Sequence, residues 1–491
     1  MPDDLLIAID AAFAERTAAA ELTPVAARVL PLVPRDAQAD DSEGAKAGVE
    51  EAAAGRLGLW TDLRWMEIFL AIQFLWGALI FIPGSQPYRG VIRALPYVSG
   101  LGLMGFYMLR SFAGSRPRGG GLLVSALLLL VLNLLQPTSQ LSAGIAQCVF
   151  QLSIAAPLFW AYKSVDAPEQ LERLLVFVFL ANLASAGLGI LQVYYPDRFM
   201  PPQFSTQFTE QYLTSLSYMG NDGRLIVRPS GLSDTPGGAA LAGSLTALLG
   251  LGLSLRKRKP WQKVAILGAI GIGLDAVYLT QVRSLLLMAI VSAGVLGFVA
   301  FRRGRVAGAS WILVTGSALL VASFLWASSV GGTSISNRFI GLKDTGALQT
   351  FQAERGGFLN YTLTELLDQF PFGAGVGRWG MMNTYFGDAA EFRAAPIHVE
   401  IQLTGWLLDG GWPMWLLYGS AILMSLLATF KLTASRNPDV AEMAMIVLAL
   451  QVFIAGMTMA GPVFNTQLGV LFWTLAALLH GVSFFRDRSY S

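Results

Sequence analysis

The chain has 491 residues, of which 54% are hydrophobic and 13% charged, with a mean hydropathy of +0.54. Soluble domains carry about 25% charge, so a soluble protein of this length is excluded and a polytopic membrane protein is implied. A single cysteine, Cys148, excludes a disulfide framework and a cysteine-based metal site. Basic residues fall in short clusters between apolar runs, so nucleic acid is not an expected partner.

Residues 1–56 hold eleven acids against five bases and no long apolar run. Residues 1–60 are therefore expected to form a cytosolic acidic extension. Leu5 to Phe13 would be a short amphipathic helix and Asp36 to Ala54 a flexible linker. No basic n-region precedes an apolar core, so a signal peptide is not expected.

From Leu63 onward, apolar runs approach the ~20 residues that cross a bilayer. They predict about twelve spans, near 63–83, 91–109, 121–135, 141–162, 173–194, 236–254, 264–281, 284–301, 309–328, 412–430, 440–460 and 465–484. The expected fold is all-α. A transmembrane domain would cover 61–485, and a cytosolic tail 486–491. Alternate connections carry 17 lysines and arginines, against three (Arg89, Arg93 and Arg283) in the short connections of the other side. Positive charge stays inside, which puts both termini in the cytoplasm. Two long connections then lie outside, 195–235 and 329–411, the second between spans nine and ten. Leu359, Leu363, Leu366, Leu367 and Phe370 predict a helix from Arg355 to Phe370, ended by Pro371 and Gly373.

The outer loops hold the candidate chemistry. His480, near the end of the last span, reads as a packed or interfacial histidine. His398 precedes the tenth span, and Pro396 suits a first helical position. That spacing predicts a helix at the outer interface with His398, Gln402, Gly405 and Asp409 on one polar face. A helix N-terminus disfavours imidazolium and attracts phosphate, so His398 would be a neutral general base. The plainer alternative is a histidine hydrogen-bonded in a loop. Glu400 would point about 200° away from it. Arg228 precedes Pro229-Ser230-Gly231 at the mouth of the sixth span, and Arg283 occupies a tight turn between two spans. Arginine's planar fork matches phosphate oxygens; the alternative for each is a side chain snorkelling to the headgroups. Arg338, Arg355, Glu400 and Gln402 are secondary candidates. Gly373-Ala374-Gly375-Val376-Gly377 reads as a turn rather than a phosphate loop, because it lacks the lysine and strand context. No acidic or histidine cluster suggests a metal, and no cofactor is expected.

Together these segments resemble the O-antigen ligase and Wzy-type polysaccharide polymerase superfamily. The resemblance rests on Arg228 to Pro236 before the sixth span, Arg283 between the seventh and eighth, and the large loop between the ninth and tenth. In that loop Arg355 leads into Pro371 to Gly377, and His398 and Asp409-Gly410-Gly411 follow. Val399 and Asp409 stand where the family commonly has Asn and Glu. The resemblance covers about 60–485 and implies a GT-C-like glycosyltransferase, metal-independent, in the bacterial inner membrane with its site facing the periplasm. Its expected partners are an undecaprenyl-diphosphate-linked oligosaccharide, an acceptor glycan, membrane lipid and other polysaccharide-export components. By resemblance Arg228 and Arg283 would hold the diphosphate, and His398 would accept the proton of the attacking hydroxyl. The first expectation is a polymerase of exopolysaccharide or O-antigen repeat units. Alternatives are a ligase transferring glycan to lipid A core or protein, and a flippase or transporter of the lipid-linked sugar. Transporters commonly show two related halves, and no internal repeat is visible.

Overall fold

The computed structural model describes residues 62–110, 117–201, 204, 210–388 and 395–488. The expectations for the 1–60 extension, its short helix and its linker lie outside the described residues. Within 62–488 the described chain is helical apart from one short hairpin.

Helices α1 (Asp62–Ile80) and α2 (Arg89–Arg110) form the first pair. α3 (Gly120–Leu132) and α4 (Leu141–Ala155) follow, and the α4 segment turns by 41° into α5 (Pro157–Trp160). Pro157 explains the bend, because it has no N–H to continue the helical ladder. α6 (Pro168–Tyr194) leads into the short α7 (Pro196–Phe199) and α8 (Glu210–Ser215). An antiparallel hairpin comes next, β1 (Ser217–Met219) paired with β2 (Leu225–Val227) in the register Tyr218 to Ile226. Then come α9 (Gly238–Ser254), α10 (Pro260–Thr280), α11 (Arg283–Arg302) and α12 (Val306–Thr345), the last kinked at Gly332. The long loop carries α13, residues 347–369, with π-helical stretches at Gln352–Gly356 and Thr362–Leu366, and α14 (Gly380–Phe386). α15 (Gln402–Leu432), α16 (Pro438–Gly456) and α17 (Gln467–Arg488) complete the bundle.

Among the described residues nine helices are long and apolar enough to cross a membrane, ten if the bent α4–α5 segment is one span. This is the architecture of an all-α polytopic membrane protein. Each of the twelve predicted runs coincides with a helix, but those at Gly120–Leu135 and Gly238–Ser254 are shorter than the others. α9 is buried along nearly its whole length against α6, α10, α11 and α16. A helix wrapped by protein on all sides need not match the thickness of the bilayer. The ninth run also ends later than predicted. Ile335 and Phe339 keep the apolar stripe of α12 against Tyr218 and Tyr278, so the helix runs on well past residue 329.

Hydrogen bonds sort the connections into two ends. At one end the α1–α2, α3–α4, α6–α9 and α12–α15 connections meet one another. At the other, Arg256 binds Glu172 of α6 at 2.7 Å, and Asp439 and Glu442 of α16 at 2.8 and 2.6 Å. Arg258 also pairs with Glu172, and Arg305 with Glu442. Several arginines assigned to the inside by charge counting thus form a network that locks three helical segments together. Arg256 is largely buried, and Arg256→Ala leaves Glu172 with Arg258 and Glu442 with Arg305 but removes the cation that Asp439 pairs with. Stability is expected to fall by about 1–3 kcal/mol, the loss of charge-assisted hydrogen bonds, read as a lower denaturation midpoint in detergent. An unchanged midpoint would remove the network from the stabilising interactions.

Candidate functional site

The segment from Arg228 to Gly238 is the hub of the loop-bearing end. Arg228 N–H donates to Leu216 O at 3.3 Å, extending the hairpin ladder by one bond. Gln192 of α6 then fixes the turn: its Oε1 accepts from Ser230 N and Gly231 N, both at 2.8 Å, and its Nε2 donates to Gly231 O at 3.0 Å. The backbone approached at this glycine is protein, held by α6, rather than open to a ligand.

Around this hub the structure gathers Arg228, Arg283 and Arg338 near the α10–α11 turn. The Tyr218 hydroxyl donates to Leu279 O at 2.8 Å, and Gly237 lies against Val282. Arg338 Nε donates to Gln281 O at 2.9 Å, two residues before Arg283. Burial pushes the Tyr218 phenol above its ordinary range, and the charge of Arg228 beside it draws it partly back. All three arginines are half-buried. Arg338 is thus bonded to the turn that carries Arg283, and Arg228 neighbours the Tyr218 ring that bonds the same turn.

His398 stands elsewhere at this end, and its setting corrects the predicted helix. Residues 395–400 form neither helix nor strand, and α15 begins only at Gln402. Arg378 causes this: its guanidinium donates to Ala395 O through Nε and Nη2, each at 3.2 Å, and its own carbonyl accepts from Ile397 N at 2.8 Å. Bonds from one residue at two points tie this stretch to Arg378. Pro396 therefore does not start a helix, and the argument from a helix N-terminus does not apply to His398. Outside a helix the 100° spacing does not apply, and Glu400 lies beside His398 and not 200° away. His398 Nε2 and Glu400 Oε1 are 2.9 Å apart, and Arg355 pairs with the other carboxylate oxygen. Phe358 of α13 flanks the imidazole at 5.9 Å between ring centres. Arg355 belongs to a π-helical stretch, a widened turn frequent at functional sites. The histidine side chain is 71% exposed. Arg355, Glu400 and His398 thus form one array.

The predicted polar stripe of Gln402, Gly405 and Asp409 shares a helix face, but not with His398 and not towards a cavity. All three are buried. Gln402 Oε1 accepts from Phe464 N at 2.8 Å, and Asp409 Oδ1 from Trp379 Nε1 at 2.8 Å. Gln402 packs against the α16–α17 connection and is not part of the array. The Gly373–Gly377 turn is also structural: Ala374 N bonds Leu408 O at 2.7 Å and Val376 N bonds Ser139 Oγ at 2.9 Å. His480 packs against the rings of Tyr162 and Phe484, 6.1 Å from each.

The interactions of Arg89, Arg93 and a further arginine, Arg378, emerge only in three dimensions. Arg89 and Arg93 of α2 both face Asp234, and Arg93 Nη1 donates to Tyr385 of α14 at 2.6 Å. The available signal was that positive charge is depleted in outer connections, where these two arginines are exceptions. Arg378 is buried among carbonyls and the Phe370 ring, and desolvation lowers its pKa. Among the described residues no group of three His, Cys, Asp or Glu side chains converges. No family model matches the chain, and no curated protein does.

Proposed function

We propose that the protein is a membrane glycosyltransferase that joins oligosaccharide repeat units carried on undecaprenyl diphosphate, at the outer face of a bacterial inner membrane. The observation that carries this reading is one end of the bundle bearing two complementary groups. One is a histidine held by a carboxylate, and the other a set of arginines at a tight turn between helices. The substrate would join the two.

In this reading the acceptor hydroxyl attacks the anomeric carbon of the donor, forming a new C–O bond as the bond to the diphosphate breaks. The hydroxyl proton passes to the free nitrogen of His398. Glu400 fixes the tautomer and ring orientation, and Arg355 fixes Glu400. Arg228 and Arg283, with Arg338 beside them, take the negative charge that grows on the departing undecaprenyl diphosphate. Arginine serves this role without a metal.

Purified protein in liposomes with lipid-linked repeat units tests the reading. The expected product is a ladder of lengthening glycans, absent for His398→Ala and for Arg228→Ala. A single addition to lipid A core would instead assign ligation, and an unchanged ladder in both variants would remove these residues from the site.

A further inference from the structure

We propose that Arg89 and Arg93 form a second anion site, for the phosphate headgroup of a membrane lipid, with a lipid chain entering the apolar cavity next to it. α2 begins at Arg89, and Arg93 follows one turn later on the same face. The two are 8% and 9% exposed, so both guanidiniums are removed from water. They share the Asp234 carboxylate: Arg93 pairs with Oδ2, and Arg89 Nε lies 3.4 Å from the same atom. The helix start is itself electropositive, so these cations sit where the backbone already disfavours them. Arg93 donates to Asp234 and Tyr385, two of the five N–H groups of its fork. A phosphate would take the remaining donors and offset a buried charge that is otherwise costly.

One turn further along α2, Pro96 O accepts from Gln73 Nε2 at 3.1 Å. Gln73 lines a cavity of about 100 Å³ whose walls include Phe69, Phe74, Leu241 and Leu471. Its Oε1 is buried without a partner. Through the Gln73–Pro96 bond the arginine pair lies one helical turn from the contact with the apolar cavity, and a cationic group next to an apolar cavity suits the polarity of a phospholipid. The cavity accommodates a segment of one chain rather than a whole lipid. This site stands independently of glycosyl transfer, because its test reads retained lipid and not product.

The test is native mass spectrometry of the full-length protein in detergent, with phosphatidylglycerol, phosphatidylcholine and inorganic pyrophosphate as probes. Wild type is expected to retain phosphatidylglycerol over phosphatidylcholine, and Arg93→Gln to retain about tenfold less, the loss of one charge-assisted contact. Asp234→Asn should increase retention, because the carboxylate competes with the phosphate. Tyr385→Phe, a conservative change that frees an Arg93 N–H, should retain at least as much as wild type. Equal retention by wild type and Arg93→Gln would overturn the proposal. A loss in Asp234→Asn matching that of Arg93→Gln would do so too, by making the cluster a structural ion pair. Displacement of the lipid by equimolar pyrophosphate would overturn the lipid assignment in favour of a soluble phosphate.

Discussion

Gly411→Leu is expected to detach the long loop between α12 and α15 from the bundle and to abolish the proposed activity without any change at His398 itself. α15 breaks at Gly410 and Gly411, and Gly411 has φ 62° and ψ −153°, a conformation that L side chains rarely adopt. A Cβ at this position would overlap the carbonyl oxygen of Pro371, the atom that accepts from Trp412 N at 3.0 Å. The loop is sewn on at the same place. Asn133 Nδ2 donates to Asp409 O at 2.8 Å, and Gln136 Nε2 to Phe372 O at 2.9 Å. Positive φ in a side-chain-bearing residue costs about 1–3 kcal/mol, and overpacking adds a comparable amount. The seam between loop and bundle has no other way to accommodate the side chain. Limited proteolysis should therefore open residues 371–388 in the variant. Gly419, further along α15, faces open space where a methyl group would lie, and Gly419→Ala should leave the cleavage pattern unchanged. Identical patterns for Gly411→Leu and wild type would show that the break does not hold the loop.

His398→Ala should reduce the turnover of lipid-linked donor by about 10²–10⁴-fold, the contribution of a positioned general base. Glu400→Gln is expected to cost less, about tenfold, the scale of one weakened hydrogen bond to a charged group. The amide still meets the imidazole, but it no longer ties Arg355 to it through a charged pair. Arg355→Ala should resemble Glu400→Gln, because both release the same carboxylate anchor. The comparison of kcat across the three variants separates the roles. A Glu400→Gln loss as large as that of His398→Ala would transfer the base function to Glu400. No loss in either Glu400→Gln or Arg355→Ala would make the array a surface ion pair, which contributes little.

Much of the fold was legible because bilayer-length apolar runs leave the backbone few options other than helix. The bent α4–α5 segment and the buried α9 show the limit of that reading: run length predicts a helix, while burial by neighbours decides whether it spans alone. The site was legible in its residue types but not in its geometry. Pro396 is as compatible with non-helical chain as with a helix start, and the choice was made by Arg378, a residue in another part of the loop. The Gln402–Asp409 stripe was read on the correct face, yet nothing local says whether a polar face meets water or Trp379 and Phe464. Arg89 and Arg93 were visible as outer arginines, but their carboxylate lies 141 residues from Arg93 in the chain.

The reading of this molecule as a glycosyltransferase is tested most directly by counting undecaprenyl diphosphate released in proteoliposomes supplied with lipid-linked repeat units. One carrier released for each glycosidic bond formed by wild type, and neither release nor bond formation by His398→Ala, is the predicted result. Movement of intact lipid-linked sugar across the bilayer with no carrier released would contradict transfer chemistry and make the protein a transporter.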